Sequence, residues 1–267
     1  MPESEYHGGP ELSSTGARTL LDSPARFKHR LDHPIRGAAR DLGTITHALV
    51  LGTPNPAQVI EGGRGKAERE REARAAGKIP VLAEDYAVAK GMRDAVLAHP
   101  MGREIFEHNG GDSEVSVFAE DPDTGVKVRA RFDHLAIGSD SILTLAADLK
   151  TTAGSASPSG FGVSAAKYGY PIQEAFYMDT LRWAVGFEVP FYFVVVEKAA
   201  PHLVAVHTLP AEAVLYGQDL ARKAREIYAE CLASGDWPGY GDDALMTEIP
   251  GWWYMAADDE EEVELTL

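Results

Sequence analysis

Three residues in the middle of the chain, Asp133, Asp148 and Lys150, stand at spacings that could support hydrolytic chemistry. Side chains in a strand alternate between its two faces. Over residues 142–150, Leu143, Leu145, Ala147 and Leu149 would then share an apolar face, with Asp148 and Lys150 on the other beside Thr144 and Ala146. Over 126–135, Asp133 falls with Lys127, Arg129 and Arg131, opposite Val126, Val128, Ala130 and Phe132. If the two strands pair as a hairpin, Asp133 lies near Asp148. Two adjacent carboxylates repel unless something positive sits between them, and a hard cation such as Mg²⁺ or Mn²⁺ takes oxygen ligands while keeping several waters. Such a cation lowers the pKa of a bound water and neutralises charge developing on a phosphate. A neighbouring lysine orients that water or stabilises the transition state. These are the needs of phosphodiester hydrolysis. An isolated D-x-K is more often a surface ion pair, and Arg129 and Arg131 alone would be a solvated strand face. The assembly of acid, turn, apolar strand, D-x-K and a following helix with its own polar pair raises the catalytic reading above that alternative.

The elements that must position these residues can be read from periodicity and punctuation. Segments 113–119, 126–135 and 142–150 read as strands, with Asp121-Pro122-Asp123-Thr124-Gly125 and Gly138-Ser139-Asp140-Ser141 as the turns between them. Glu114 occupies the polar face of the first. Before them, 12–31 reads as short helices with Ser13 or Ser14 as N-cap and a restart at Ser23-Pro24. Residues 41–51 form a second helical stretch, on which Gly43 and His47 lie one turn apart. Residues 61–80 read as a glycine-rich loop entering a charged, solvated helix, and 83–98 as an amphipathic helix ended by His99-Pro100. Residues 153–164 read as a glycine- and serine-rich loop. Then come a helix at 170–186, a strand at 189–197, its hairpin partner at 202–209, and a long helix at 211–234. That order predicts an α/β (α+β) fold, a mixed central β-sheet flanked by helices, and excludes a doubly wound parallel arrangement. Nothing in the middle resembles a linker, so residues 1–256 are expected to form one domain, with 257–267 an acidic, disordered tail.

Composition narrows the function classes. The 267 residues carry a net charge of −16, against a protein that coats nucleic acid through a basic surface. A nuclease needs only a local basic groove, and its metal site is built from carboxylates. The single cysteine, Cys231, excludes an internal disulfide, a cysteine-based zinc site and a Cys₄ iron–sulfur cluster within one chain. No apolar run suggests a membrane span and the start has no secretory pattern, so a cytoplasmic protein without membrane contact is expected. Trp252, Trp253 and Tyr254 read as packing residues.

At this point the sequence resembles the RecE-type exonucleases (exonuclease VIII-like), within the RecB-like branch of the PD-(D/E)XK nucleases, over about residues 6–254. LSSTGARTLLDSPARFKHR is similar to that family's opening helix, LGTITHALVL to its G-x-x-x-H helix, Glu114 through TGVKVRARFD to LAADLKTT to its E…D…D-x-K core, and YGYPIQEAFYMD to its Q-x-x-x-Y element. Phe132 stands where the superfamily name implies a proline. The resemblance implies a PD-(D/E)XK restriction-endonuclease-like core with Asp133 and Asp148 as ligands of Mg²⁺ (Mn²⁺ able to substitute) and the Leu149 carbonyl as a third. His47 would be a further metal or water ligand, the alternative being a satisfied histidine in a helix interface. Lys150 would position or activate the attacking water, and Glu114 would lie nearby and could bind a second metal or its water. Gln173 and Tyr177, on one side of a helix, would support the site or touch DNA, or else form a helix–sheet contact. Arg129 and Arg131 would bind DNA. The implied activity is a 5′ to 3′ double-strand DNA exonuclease acting from DNA ends, as a ring-shaped homo-oligomer, for a single-strand annealing or recombinase partner. A structure-specific endonuclease and a catalytically silent DNA-binding scaffold are the competing readings.

Overall fold

A computed structural model describes residues 6, 8–33, 41–108, 110–138 and 142–251; the acidic tail and Trp252–Tyr254 lie outside them. The chain opens with β1 (Leu12–Ser13), α1 (Ser14–Asp22) and α2 (Pro24–Asp32). Ser13 caps α1 by accepting the Gly16 N–H, and Ser23 caps α2 by accepting from Arg26, with Pro24 at the first helical position where no N–H is needed. There follow α3 (Asp41–Leu51), β2 (Ala57–Ile60), α4 (Lys66–Ala75), β3 (Ile79–Leu82), α5 (Ala83–Ala98) and α6 (Pro100–Arg103). A π-helical turn over Glu104–His108 leads into β4 (Asp112–Glu120), β5 (Lys127–Ile137) and β6 (Leu143–Thr152). The chain continues through α7 (Pro158–Tyr168), α8 (Tyr170–Val185), β7 (Phe191–Glu197), β8 (Val204–His207) and α9 (Ala211–Ser234).

The main sheet is mixed, in the order β1-β5-β6-β7-β8, with β4 on the far edge of β5. Its decisive feature is how β5 is shared. β1 pairs with the start of β5 (Leu12 with Val128) and β6 with its end (His134 with Ala147). Because β4 pairs with β5 at both places, β1 and β6 must occupy the same, opposite edge of β5. No described strand pairs with residues 130–133 on that edge, so a gap opens in the sheet between β1 and β6.

Helices cover both faces. On one, α7 and α8 close over Phe132, Ala146, Phe191 and Phe193. On the other, α3 and α5 pack Val50, Met92 and Val96 against Ala147, Leu149, Val194 and Val196. This explains the unbroken apolar run of β7, which feeds both cores alternately. Alternation fails in β5. Phe132 and Leu135, three apart, enter the same core, so the phase slips across Asp133 and His134. On β4, level with the slip, Glu114 takes a positive φ of 56°.

Two expectations are corrected. The 153–164 segment is half helix: Ser157 caps α7 by accepting the Gly160 N–H, with Pro158 next, and the glycines hid a normal start signal. Around the charged helix, β2 and β3 form a separate parallel pair too short to show periodicity. None of the described helices is long and apolar enough to cross a membrane.

A buried ion cluster fastens α8 and α9 to the β4–β5 turn. Arg225 donates from Nε to Asp121 Oδ2 (2.7 Å) and from Nη2 to Asp179 Oδ2 (3.1 Å), while its guanidinium lies 4.8 Å from the Trp183 ring. Arg225→Met would strand two buried carboxylates and is expected to lower stability by about 3–5 kcal/mol in chemical denaturation; the exposed Arg222→Met, measured in parallel, should leave the midpoint unmoved. A second prediction concerns Glu174 on α8, 9% exposed with Oε2 lacking a partner. Burial pushes its carboxyl up to about 7. A carboxyl raised in the folded state destabilises once ionised, so stability is lost as pH rises from about 4.5 toward 7. Glu174→Gln should therefore stabilise the chain at pH 8, by on the order of 2 kcal/mol, and make no difference at pH 4.

Candidate active site

The gap in the β5 edge is where the expected residues meet. Just beyond the last β5–β6 pair, the Leu149 N–H donates to Asp133 Oδ2 at 2.7 Å, so a side chain satisfies a backbone donor at the edge of the gap. From the α3 face, His47 Nδ1 lies 3.3 Å from the same oxygen. Gly43, one turn earlier, faces Thr151 on β6, where a Cβ would stand in ordinary contact with Thr151 Oγ1 at 3.4 Å. From the opposite face, Gln173 on α8 bridges the D-x-K pair. Its Nε2 donates to Asp148 Oδ1 at 2.5 Å, and its Oε1 accepts from Lys150 Nζ at 3.0 Å. Lys150 Nζ also forms an ion pair with Asp148 Oδ2 at 2.5 Å. The site thus runs through the sheet, with His47 on one face and Gln173 on the other.

The two carboxylates are driven apart electrostatically. Asp133 feels burial pushing its pKa up, but His47, Lys150 and the Leu149 N–H outweigh this and hold it below the usual carboxylate range. For Asp148 burial wins over Lys150, and the Asp133 charge adds to it, so its pKa is raised. Burial pulls His47 down, yet Asp133 outweighs it and the imidazole is raised. In the metal-free chain, then, His47 and Asp133 form the ionic pair and Asp148 is the carboxylate that most lacks compensation. Two buried carboxylates beside an imidazole are a donor set that suits a hard divalent cation. Among the described residues no three His, Cys, Asp or Glu side chains form a ready-made cage; a cation would have to displace the Lys150 ammonium from Asp148.

The remaining expected residues divide. Tyr177 is at the site's floor, its ring 5.0 Å from Phe132; burial and then the Asp148 charge raise its phenol well above normal. Glu114 lies on the other edge of β5 from Lys150, with its carboxylate 3.5 Å from Arg131 Nη1. Arg129 and Arg131 differ from the exposed, DNA-facing pair expected of them. Arg129 is buried, donating to the Gly9 carbonyl at 2.8 Å, and Arg131 donates to Ser116 Oγ at 3.0 Å. Both guanidinium groups lie over the Tyr6 ring. The N-terminal segment covers the face that simple alternation left in solvent.

Two residues at the site went unread in the sequence. Arg18 on α1 donates to the Tyr168 carbonyl (2.5 Å); burial lowers its pKa while Tyr177, Tyr170 and Asp148 oppose that, so its charge faces the same carboxylate. Nothing in the sequence marks it among the other basic residues of the first helices. Tyr170, whose ring centroid is 4.8 Å from Lys150 Nζ, continues the Gln173–Tyr177 stripe by one turn, and that spacing could have identified it. The His47–Asp133 pair can be checked without turnover: in metal-free protein, Asp133→Asn should move the His47 ring titration to lower pH by NMR, and an unchanged midpoint would contradict the pairing.

Comparison with known proteins agrees with this architecture. Residues 13–248 match the family described as a PDDEXK-like domain of unknown function (DUF3799). No curated protein matches the chain. Among solved structures, that of a "putative exonuclease" from Eubacterium rectale superimposes with a TM-score of 0.62, at 12% identity, covering 96% of each chain. At that identity the likeness concerns the fold alone. The crystal structure of SSO0001 covers 80% of this chain and 84% of its own at 11% identity, with a TM-score of 0.32 too low to carry an argument. With all but the termini matched, and with Asp133, Asp148 and Lys150 drawn together at the sheet gap, the chain belongs to the PDDEXK-like domain family.

Proposed function

We propose that the chain is a divalent-metal-dependent DNA exonuclease that hydrolyses phosphodiester bonds from duplex ends, 5′ to 3′, in the manner of the RecE-type enzymes it resembles. The observation that carries this reading is the Asp148–Gln173–Lys150 network at the sheet gap, with Asp133 and His47 beside it. Asp133 and Asp148, with the Leu149 carbonyl and His47, would hold Mg²⁺ or Mn²⁺. When bound, the cation supplies an acidified water and charge neutralisation at the phosphate. Lys150, released from Asp148 but still held by Gln173, would donate to the attacking water and hold it in line with phosphorus. Hydrolysis forms one P–O bond to that water and breaks the bond to the leaving oxygen. Tyr177, a phenol throughout the neutral range, would bound the floor.

The product of such resection is a 3′ single strand, the substrate of an annealing or strand-exchange protein, and that is the partner class this reading implies. A ring of subunits would reconcile the net charge of −16 with a channel for DNA. The test uses linear duplex labelled at either 5′ or 3′ end, with and without Mg²⁺, and a closed circle as control. Mg²⁺-dependent release of the 5′ label from the linear form only is expected, with Asp148→Ala and Lys150→Ala slower by at least about 100-fold. Cutting of the circle would replace the reading by an endonuclease; inertness with every divalent metal would leave a DNA-binding scaffold of the same fold.

A further inference from the structure

A cavity of about 270 Å³ opens beside Lys150, between the end of β6, helix α7 and the end of β7. Lys150, Lys198, Ser155, Ser164, Tyr168 and Tyr170 give its wall cations, hydroxyls and aromatic faces. No aspartate or glutamate lines it, in a chain with 41 acidic and 25 basic residues. Lys150 is neutralised by Asp148, whereas Lys198 has no ion-pair partner among the described residues. The Lys198 backbone N–H is fixed to the Thr152 carbonyl at 2.8 Å, which anchors the stem of that side chain at the cavity. Tyr168 is 52% exposed, and its ring sits 5.9 Å from that of Tyr170 at 31°.

An acid-free wall with an uncommitted cation calls for an anion, and an exposed aromatic face calls for a flat ring. Phosphate and base supply both, through charge and through stacking that tolerates any base. The volume is just under the roughly 300–1,000 Å³ of drug-sized ligand pockets, so it suits one nucleotide and not two. We infer that this cavity seats the nucleotide unit next to the scissile phosphate, with Lys198 on its outer phosphate and Tyr168 against its base. The identity of the ligand as part of a DNA strand rests on the nuclease reading; the binding itself needs no turnover.

The test is calorimetric titration of the full chain, in EDTA, with thymidine 5′-monophosphate, thymidine and inorganic phosphate. The parent should bind the monophosphate at least about tenfold more tightly than either fragment. Lys198→Gln should weaken monophosphate and phosphate binding about tenfold and leave thymidine alone. Tyr168→Leu should weaken monophosphate and thymidine about tenfold and leave phosphate alone. Both sites are partly exposed, and unchanged melting temperatures would show that the variants fold; were one not to fold, the parent's preference among the three ligands still decides. A parent that binds the monophosphate no better than phosphate, or variants that bind all three like the parent, would overturn the assignment. If the parent degrades DNA while the variants titrate normally, the cavity assignment alone fails. If the titrations follow the expected pattern but no DNA is degraded, the nuclease reading alone fails.

Discussion

Two strands share one edge of β5 without meeting, and the backbone between them must still be satisfied. The Asp133 carboxylate does this by accepting the Leu149 N–H, so the acid is held at the gap by a bond the fold itself requires. The rest of the site follows from that bond. It fixes the peptide between Asp148 and Lys150, and alternation then delivers both of their side chains to the α8 face. It also leaves the Asp133 oxygen within reach of His47 from the α3 face. An uninterrupted ladder would have paired the same N–H with a carbonyl and closed the route between the two helical layers.

Much of this was legible before any coordinates. The D-x-K stood on a strand whose apolar alternation was clear, and the strand before it ended in an acid across a short turn. The helices over 41–51, 83–98 and 211–234 carry period and punctuation that agree, and they occur with those bounds. What could not be read was set by distant contacts. Arg129 and Arg131 look like a solvated face until Tyr6 and Gly9, more than a hundred residues away, cover them. The phase slip across Asp133 and His134 has no sequence signal, because it is imposed by the gap and accompanied by the strained backbone of Glu114 on the neighbouring strand. Strand pairs of four residues, such as β2 and β3, carry too few positions for a period to show.

Charge is distributed with a purpose that the net figure conceals. A chain of net −16 keeps its carboxylates away from the walls of the cavity beside Lys150, and it brings Arg18, Lys150 and His47 around the two that are buried at the gap. Screening weakens exposed charges beyond roughly 8–10 Å at ordinary salt. A phosphate entering the gap would therefore feel these nearby, partly desolvated cations more than the acidic exterior.

Among the described residues, the buried ion clusters at Arg225 and at Lys150 differ in a way that bears on the proposed chemistry. At Asp121, Arg225 and Asp179, all four carboxylate oxygens accept hydrogen bonds, from the Asp123 N–H, the Thr124 hydroxyl, Arg225 and Arg182. That cluster ties two helices to a turn. At the gap, Asp148 is buried as deeply, yet burial drives its pKa up in spite of the lysine beside it. A carboxylate whose ionisation is opposed by burial costs a fold stability. The surrounding structure sustains it through Gln173, which holds acid and lysine together. A divalent cation would favour the ionised form of Asp148 and free the lysine in the same event, so the burial that raises this carboxyl and the proposed chemistry have one physical origin.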